Sequence, residues 1–111
     1  MSKRPVDLLL DDICEALDRI GQYTSGMPSD VFLKDRKTID AVVRNLEIIG
    51  EASNRLPVDF RNSHSEIEWQ KVIGLRHRIV HEYFGIDLQI VWQILQKDLP
   101  SLRQAISKIH G

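Results

Sequence analysis

Apolar residues recur at steps of three and four along most of the chain, the spacing that lines one face of an α-helix, and almost nothing alternates as a strand would. The first stripe is Val6, Leu9, Leu10, Ile13, Leu17 and Ile20. It opens just after Pro5, whose fixed φ suits a first helical turn, and Gly26 and Pro28 close it. A second and longer stripe runs through Ile39, Val42, Val43, Leu46, Ile49, Ala52 and Leu56, opening near Asp35 and stopping before Pro57. Gly50 sits inside it. Glycine there costs about 1 kcal/mol relative to alanine, so a closely approaching neighbour would justify the small residue.

Val58 to Glu66 reads as a polar loop or a single helical turn, after which Trp69, Val72, Ile73, Ile79 and Val80 predict a third helix ending near His81. Gly85 breaks the pattern. Asp87 is the candidate N-cap of a fourth segment carrying Leu88, Val91, Ile94, Leu95, Leu99, Leu102, Ile106 and Ile109, which Pro100 should kink or divide. Four main helices with short connections predict an all-α fold, most economically an up-and-down four-helix bundle with short extra helical turns. A chain of 111 residues fits one domain spanning 1–111.

Composition narrows the function classes. Fifteen basic against sixteen acidic residues leave a formal charge of −1, which argues against coating nucleic acid by bulk attraction; any polyanion must be held locally. The charge is uneven, however. Met1 to Asp30 holds six acids and three bases, whereas Trp69 to His81 holds Lys71, Arg76 and Arg78, no acid, and the histidines His77 and His81. That element is either a solvated basic face or a local anion site. Cys14 stands alone, so no intrachain disulfide forms, no multi-cysteine zinc site can be built, and a reducing compartment is the simplest reading. Its place beside Ile13 predicts a buried, inert thiol. Apolar runs such as Leu8 to Leu10 are too short to cross a bilayer, and Asp7, Asp11 and Asp12 are unlike a secretory signal, so a cytoplasmic location is expected.

Within the basic element, Arg76 is followed by four residues, then His81, one residue, and Tyr83. An imidazole, with an ordinary pKa of about 6.5, can take the proton of a ribose 2′-hydroxyl near neutral pH, while a guanidinium neutralises the phosphate as charge builds on it. This chemistry needs no metal. The spacing alone is weak evidence, because an Arg followed a few residues later by a His recurs at Arg103 and His110, seven apart. On an ideal helix, five steps of about 100° leave His81 roughly 140° around from Arg76. Either the helix ends or distorts before His81, or the site combines groups from two copies of the chain.

Each residue also has a structural reading. His81 could cap a helix C-terminus, Arg76 could pair with Glu82 or Asp40, and Tyr83 could be half-buried packing. Asp40, Arg44, Asn45 and Glu47 either brace the site, line a dimer cleft or are solvated. Trp69 and Trp92 fall on apolar stripes and read as core or interface anchors, and His64 as an exposed loop residue. No histidine is preceded three positions earlier by Glu, which excludes the usual di-metal bundle motif, and there is neither a glycine-rich phosphate loop nor a serine nucleophile elbow.

Two longer segments say more than the spacing. Asp35 to Ala52 reads DRKTIDAVVRNLEIIGEA, and Gly74 to Asp87 reads GLRHRIVHEYFGID. With them the chain resembles the HepT-like toxin family of the HEPN superfamily, from about Val6 to Leu102. The resemblance implies a helical homodimer acting as a metal-independent endoribonuclease toxin of a toxin–antitoxin system, with Arg76 and His81 as the catalytic pair and no cofactor. Cellular RNA is the implied substrate, transfer RNA the first candidate. His77, in the place where the family commonly has a polar residue, would support the pair or contact phosphate. The resemblance further implies a minimal nucleotidyltransferase antitoxin that adds AMP to Tyr83, placing bulk and negative charge beside the site. The rival readings are a non-catalytic HEPN module that binds a nucleotide or partner, and a purely structural dimer.

Overall fold

The structure, a computed structural model, describes residues 4–80 and 85–110. It is all-α, as the stripes predict. Its helices are α1 (Val6–Thr24), α2 (Ser29–Phe32), α3 (Arg36–Arg55), α4 (Val58–Ser63), α5 (Trp69–Ile73), α6 (Leu75–Ile79), α7 (Leu88–Gln93) and α8 (Leu99–Ile109), with a π-helical turn, Ile94–Asp98, between α7 and α8. Among the described residues the only strand-like pairing is an isolated antiparallel bridge between Val80 and Ile86, and no helix is long and apolar enough to cross a membrane.

Helix α1 begins where Pro5 offers its carbonyl to the amides of Leu8 and Leu9. Leu9, Leu10, Ile13, Ala16, Leu17 and Ile20 are buried on its inner face, and α1 packs along α3. Gly26, at φ 70°, supplies the left-handed turn that ends the segment. Asp35 caps α3, its carboxylate accepting from the Thr38 amide at 3.1 Å and from the Thr38 hydroxyl at 2.8 Å. Ile39, Val42, Leu46, Ile49 and Ala52 then line the core.

The neighbour that Gly50 calls for is the backbone of α5. A Cβ at position 50 would meet the carbonyl oxygens of Val72 and Ile73 at 3.2 and 3.3 Å. Glycine therefore sets how deeply α5 seats against α3. The predicted third helix is two short ones, because Gly74, a poor helix former, stands at φ −84°, ψ 9° and turns the chain between α5 and α6.

Asp87 does cap the fourth segment, accepting from the amides of Gln89 and Ile90. The division attributed to Pro100 falls one turn earlier: the π-helical turn precedes α8, at whose second position Pro100 sits. A proline lacks the N–H of the regular ladder and crowds the preceding turn, and a widened turn absorbs both. Helix α8 returns to α1, where Arg103 pairs with Asp18 at 2.9 Å and His110 with Asp11 at 2.7 Å.

Two features depart from the sequence reading, helix α2 and His64, whereas Trp69 keeps to its reading as a core anchor. Helix α2 was not expected; it carries Phe32, fully buried and packed on Trp92 at a ring separation of 5.3 Å. Trp69 is buried and donates its indole N–H to the His64 carbonyl at 3.0 Å. His64 is no exposed loop residue, because its ring packs on Phe60, 4.6 Å away, where it ends α4.

Candidate functional site

Helix α6 is five residues long, and two of them fix it. Leu75 and Ile79 are buried, leaving Arg76, His77 and Arg78 on the surface. The two arginines reach in different directions, as residues two apart on a helix must. Arg76 turns to α3, where its Nε lies 3.5 Å from Oε2 of Glu47. Arg78 turns to the π-helical turn and donates to the carboxylate of Asp98. Two ion pairs therefore flank α6, the one to Asp98 a hydrogen bond and the one to Glu47 a longer contact.

Neither expected partner of Arg76 is the one found among the described residues. Asp40 pairs instead with Arg36, one turn back on its own helix, at 3.2 Å. The close seating of α5 at Gly50 brings α6 over the middle of α3, at Glu47, and not over its beginning. Glu82 lies outside the described residues. The Arg76 side chain is 75% exposed, so its charged head is open to a ligand.

His77 is exposed and joins Ile73, Gly74, Arg76 and Val80 around a shallow open concavity. Arg76 and His77 thus share one surface, which has room for a phosphate and is walled by apolar Ile73 and Val80. On the Arg78 side of α6 lies a second cavity of about 280 Å³, floored by Ile67, Val72, Leu75, Leu99 and Leu102.

The helix ends before His81. Ile79 is the last residue of α6, and Val80 is extended at φ −94°, ψ 120°. Ile86 bridges back to Val80, and the Asp87 amide donates to the Ile79 carbonyl at 2.7 Å. Of the two geometries left open by the Arg76 to His81 spacing, the chain adopts the one in which the helix stops short. The offset of an ideal helix does not apply here. His81 and Tyr83 themselves lie outside the described residues, so Arg76 and His77 are the site residues that the structure places.

Of the polar residues on α3, Asp40 and Arg44 are exposed and Glu47 serves Arg76. Asn45 is buried, its Nδ2 donating to the Ala41 carbonyl at 2.9 Å, while its Oδ1 has no partner among the described residues. It is neither solvated nor on the Arg76 surface. Cys14 is half-buried on α1; burial chiefly, then the carboxylates of Asp18 and Asp11, push its thiol pKa up, which suits an inert thiol.

Comparison with known proteins gives this surface its context. The family model described as "Ribonuclease HepT-like" matches residues 13–109. The chain belongs to that family. A Thermococcus cleftensis protein named "Probable ribonuclease HepT" is 42% identical over 101 residues, covering 91% of this chain and 92% of its own. A Methanocaldococcus jannaschii protein named "Putative RNase MJ0127" is 41% identical over 115 residues, covering 100% of this chain and 95% of its own. A relative from Caldanaerobacter subterraneus, also named as a putative RNase, is 36% identical over 100 residues, 90% and 89% of the two chains. No solved structure matches.

Within this HepT-like chain, Glu47, one of the four α3 residues read as bracing the site, lining a dimer cleft or solvated, is the one that pairs with Arg76. Its signal was present in Gly50, three positions on. A glycine required by close helix contact marks the part of α3 that faces α5 and α6, and Glu47 lies one turn away on that side.

Proposed function

We propose that this HepT-like protein is a metal-independent endoribonuclease and the toxin of a toxin–antitoxin pair. His81 is the general base. It takes the proton of a ribose 2′-hydroxyl, whose oxygen attacks the adjacent phosphorus; the bond from phosphorus to the 5′-oxygen breaks, leaving a 2′,3′-cyclic phosphate and a 5′-hydroxyl that gains its proton from solvent or from the imidazolium. Arg76 neutralises the phosphate as charge builds on it, and His77 supports phosphate binding. DNA is spared because it lacks the attacking oxygen. The acting unit is a homodimer with cellular RNA, transfer RNA first, as substrate.

The observation that carries this reading is the end of α6 at Ile79 beside an exposed Arg76. A His five residues on in a continuous helix would face away; a chain that leaves the helix after three residues and is tied back by Asp87 to Ile79 is free to turn an imidazole towards the guanidinium. Tyr83, two residues further along the same segment, is the proposed acceptor of AMP from a nucleotidyltransferase antitoxin, which would silence the site by bulk and charge.

The test incubates pure protein with total RNA in EDTA, comparing wild type with Arg76→Ala and His81→Ala. The expected result is RNA loss, with cyclic phosphate ends, in wild type alone while all three proteins keep their helical content. Undiminished cleavage by His81→Ala overturns the catalytic assignment, and RNA left intact by wild type favours the non-catalytic binding module. For Tyr83, an adenylate mass gain with ATP, Mg²⁺ and the nucleotidyltransferase, absent in Tyr83→Phe, is the expected outcome.

A further inference from the structure

We infer that Glu47 is a positioning residue for the nuclease site, an inference that rests on the ribonuclease reading of Arg76. It holds the guanidinium by its Nε edge, so that the paired terminal nitrogens present themselves to an RNA phosphate. The closest approach between the two side chains is from Nε to Oε2, at 3.5 Å. A guanidinium is a planar fork, and a carboxylate at the Nε side leaves the outer Nη groups for a bidentate grip on two phosphate oxygens. The 75% exposure of Arg76 fits a group held at its root and open at its tip.

This pair differs from the others on α3. Arg36 with Asp40 and Arg55 with Glu51 are pairs one turn apart on a single helix, with all four side chains at least 60% exposed. Such pairs contribute little. Glu47 is 36% exposed and reaches across to another element. Its position is set by packing: three residues on, Gly50 lets the carbonyls of Val72 and Ile73 come against α3, and α6 follows directly after that contact through Gly74. The carboxylate is thus fixed to the rigid side of the site, and Arg76 is aimed from it.

The sign of the charge separates this role from simple attraction. A carboxylate beside the phosphate site repels RNA, so Glu47 can only weaken ground-state binding. What it contributes must appear in the transition state, through the orientation of Arg76. Glu47→Gln keeps the size and removes the charge. The expected result is a kcat lower by about tenfold or more with KM unchanged or lower, and a partial return of kcat in Glu47→Asp.

A second readout needs no activity. In 15N-labelled protein the Arg76 Hε–Nε signal, assigned by its loss in Arg76→Lys, should be slowed in exchange with water in wild type and broadened in Glu47→Gln. Cleavage by wild type with the same kcat in Glu47→Gln, or an unchanged Nε signal, overturns the positioning role and leaves the ribonuclease reading standing. Intact RNA with wild type sinks the ribonuclease reading and the positioning role with it, whatever the Nε signal does.

Discussion

The amide of Asp87 donates to the carbonyl of Ile79 across 2.7 Å, and this bond closes the stretch of chain that contains His81 and Tyr83. Asp87 acts at both ends of that junction. Its N–H ties back to the last residue of α6, while its carboxylate caps α7 through the amides of Gln89 and Ile90. Asp87 is therefore bonded both to the helix that carries Arg76 and to the helix that follows.

Asp87→Ala should lower stability by about 1 kcal/mol, the ordinary cost of a lost N-cap, and Asp87→Asn should retain most of it. Gly85, at φ 79°, lies in the same junction, and an alanine there adopts a left-handed conformation at a cost of roughly 1–2 kcal/mol. Urea unfolding of the three variants measures both. An Asp87→Ala protein as stable as wild type would show that the cap carries no stability.

Much of the fold is legible because its determinants are local. Pro5, Asp35 and Asp87 act on amides within three or four residues, and the stripes from Leu9 to Ile20 and from Ile39 to Ala52 need only helical geometry. What was hidden depends on contacts distant in sequence. Helix α2 is too short to form a stripe, and Phe32 packs on Trp92, far along the chain. The choice of Glu47 over Asp40 as partner of Arg76 depends on how deep α5 seats on α3, which no local pattern states. In the site, the exposure of Arg76 and His77 was readable from the run of basic residues without acids, and the early end of α6 was one of two geometries that the spacing allowed.

Gly50→Ala sets two effects against each other. Alanine gains about 1 kcal/mol of helix propensity, but its Cβ would lie 3.2 and 3.3 Å from two backbone carbonyls, which must give way. Overpacking of this kind costs about 1–3 kcal/mol. Because the opposing atoms are backbone, the steric cost should win, with a net loss of about 1 kcal/mol. Gly50→Ala should also shift α6 relative to Glu47 and lower RNA cleavage, read by denaturation and by cleavage rate on one preparation. A more stable and equally active variant would show that α5 can retreat freely.

Asp35 should leave a mark on acid stability. The Thr38 amide chiefly, and then the Thr38 hydroxyl, hold its carboxyl below the usual carboxylate range in the folded chain. A group with a lowered folded pKa contributes stability fully present above its unfolded value, about 3.9, and lost as pH falls through the folded one. Wild type should therefore lose stability on acidification below about pH 4 more steeply than Asp35→Asn, which keeps an acceptor oxygen but does not titrate. Thermal melts of the two from pH 6 to pH 2 compare the slopes, and parallel curves would remove Asp35 from the account.

Cys14 should react slowly for as long as the fold lasts. Half-burial on α1 disfavours the thiolate, and the carboxylates of Asp18 and Asp11 add to this, with Arg103 opposing them weakly through its own pairing with Asp18. Since the thiolate is the nucleophile, alkylation by iodoacetamide at pH 8 should be much slower in the native protein than in urea. Arg103→Ala sharpens the argument. It removes the cation that lowers the thiol pKa among the described residues and takes from Asp18 its pairing partner, so the thiol pKa should rise further and native alkylation slow again, followed by mass spectrometry. Faster alkylation in Arg103→Ala would mean that the pairing of α8 with α1 had been shielding Cys14, and that access controls its reactivity instead of charge.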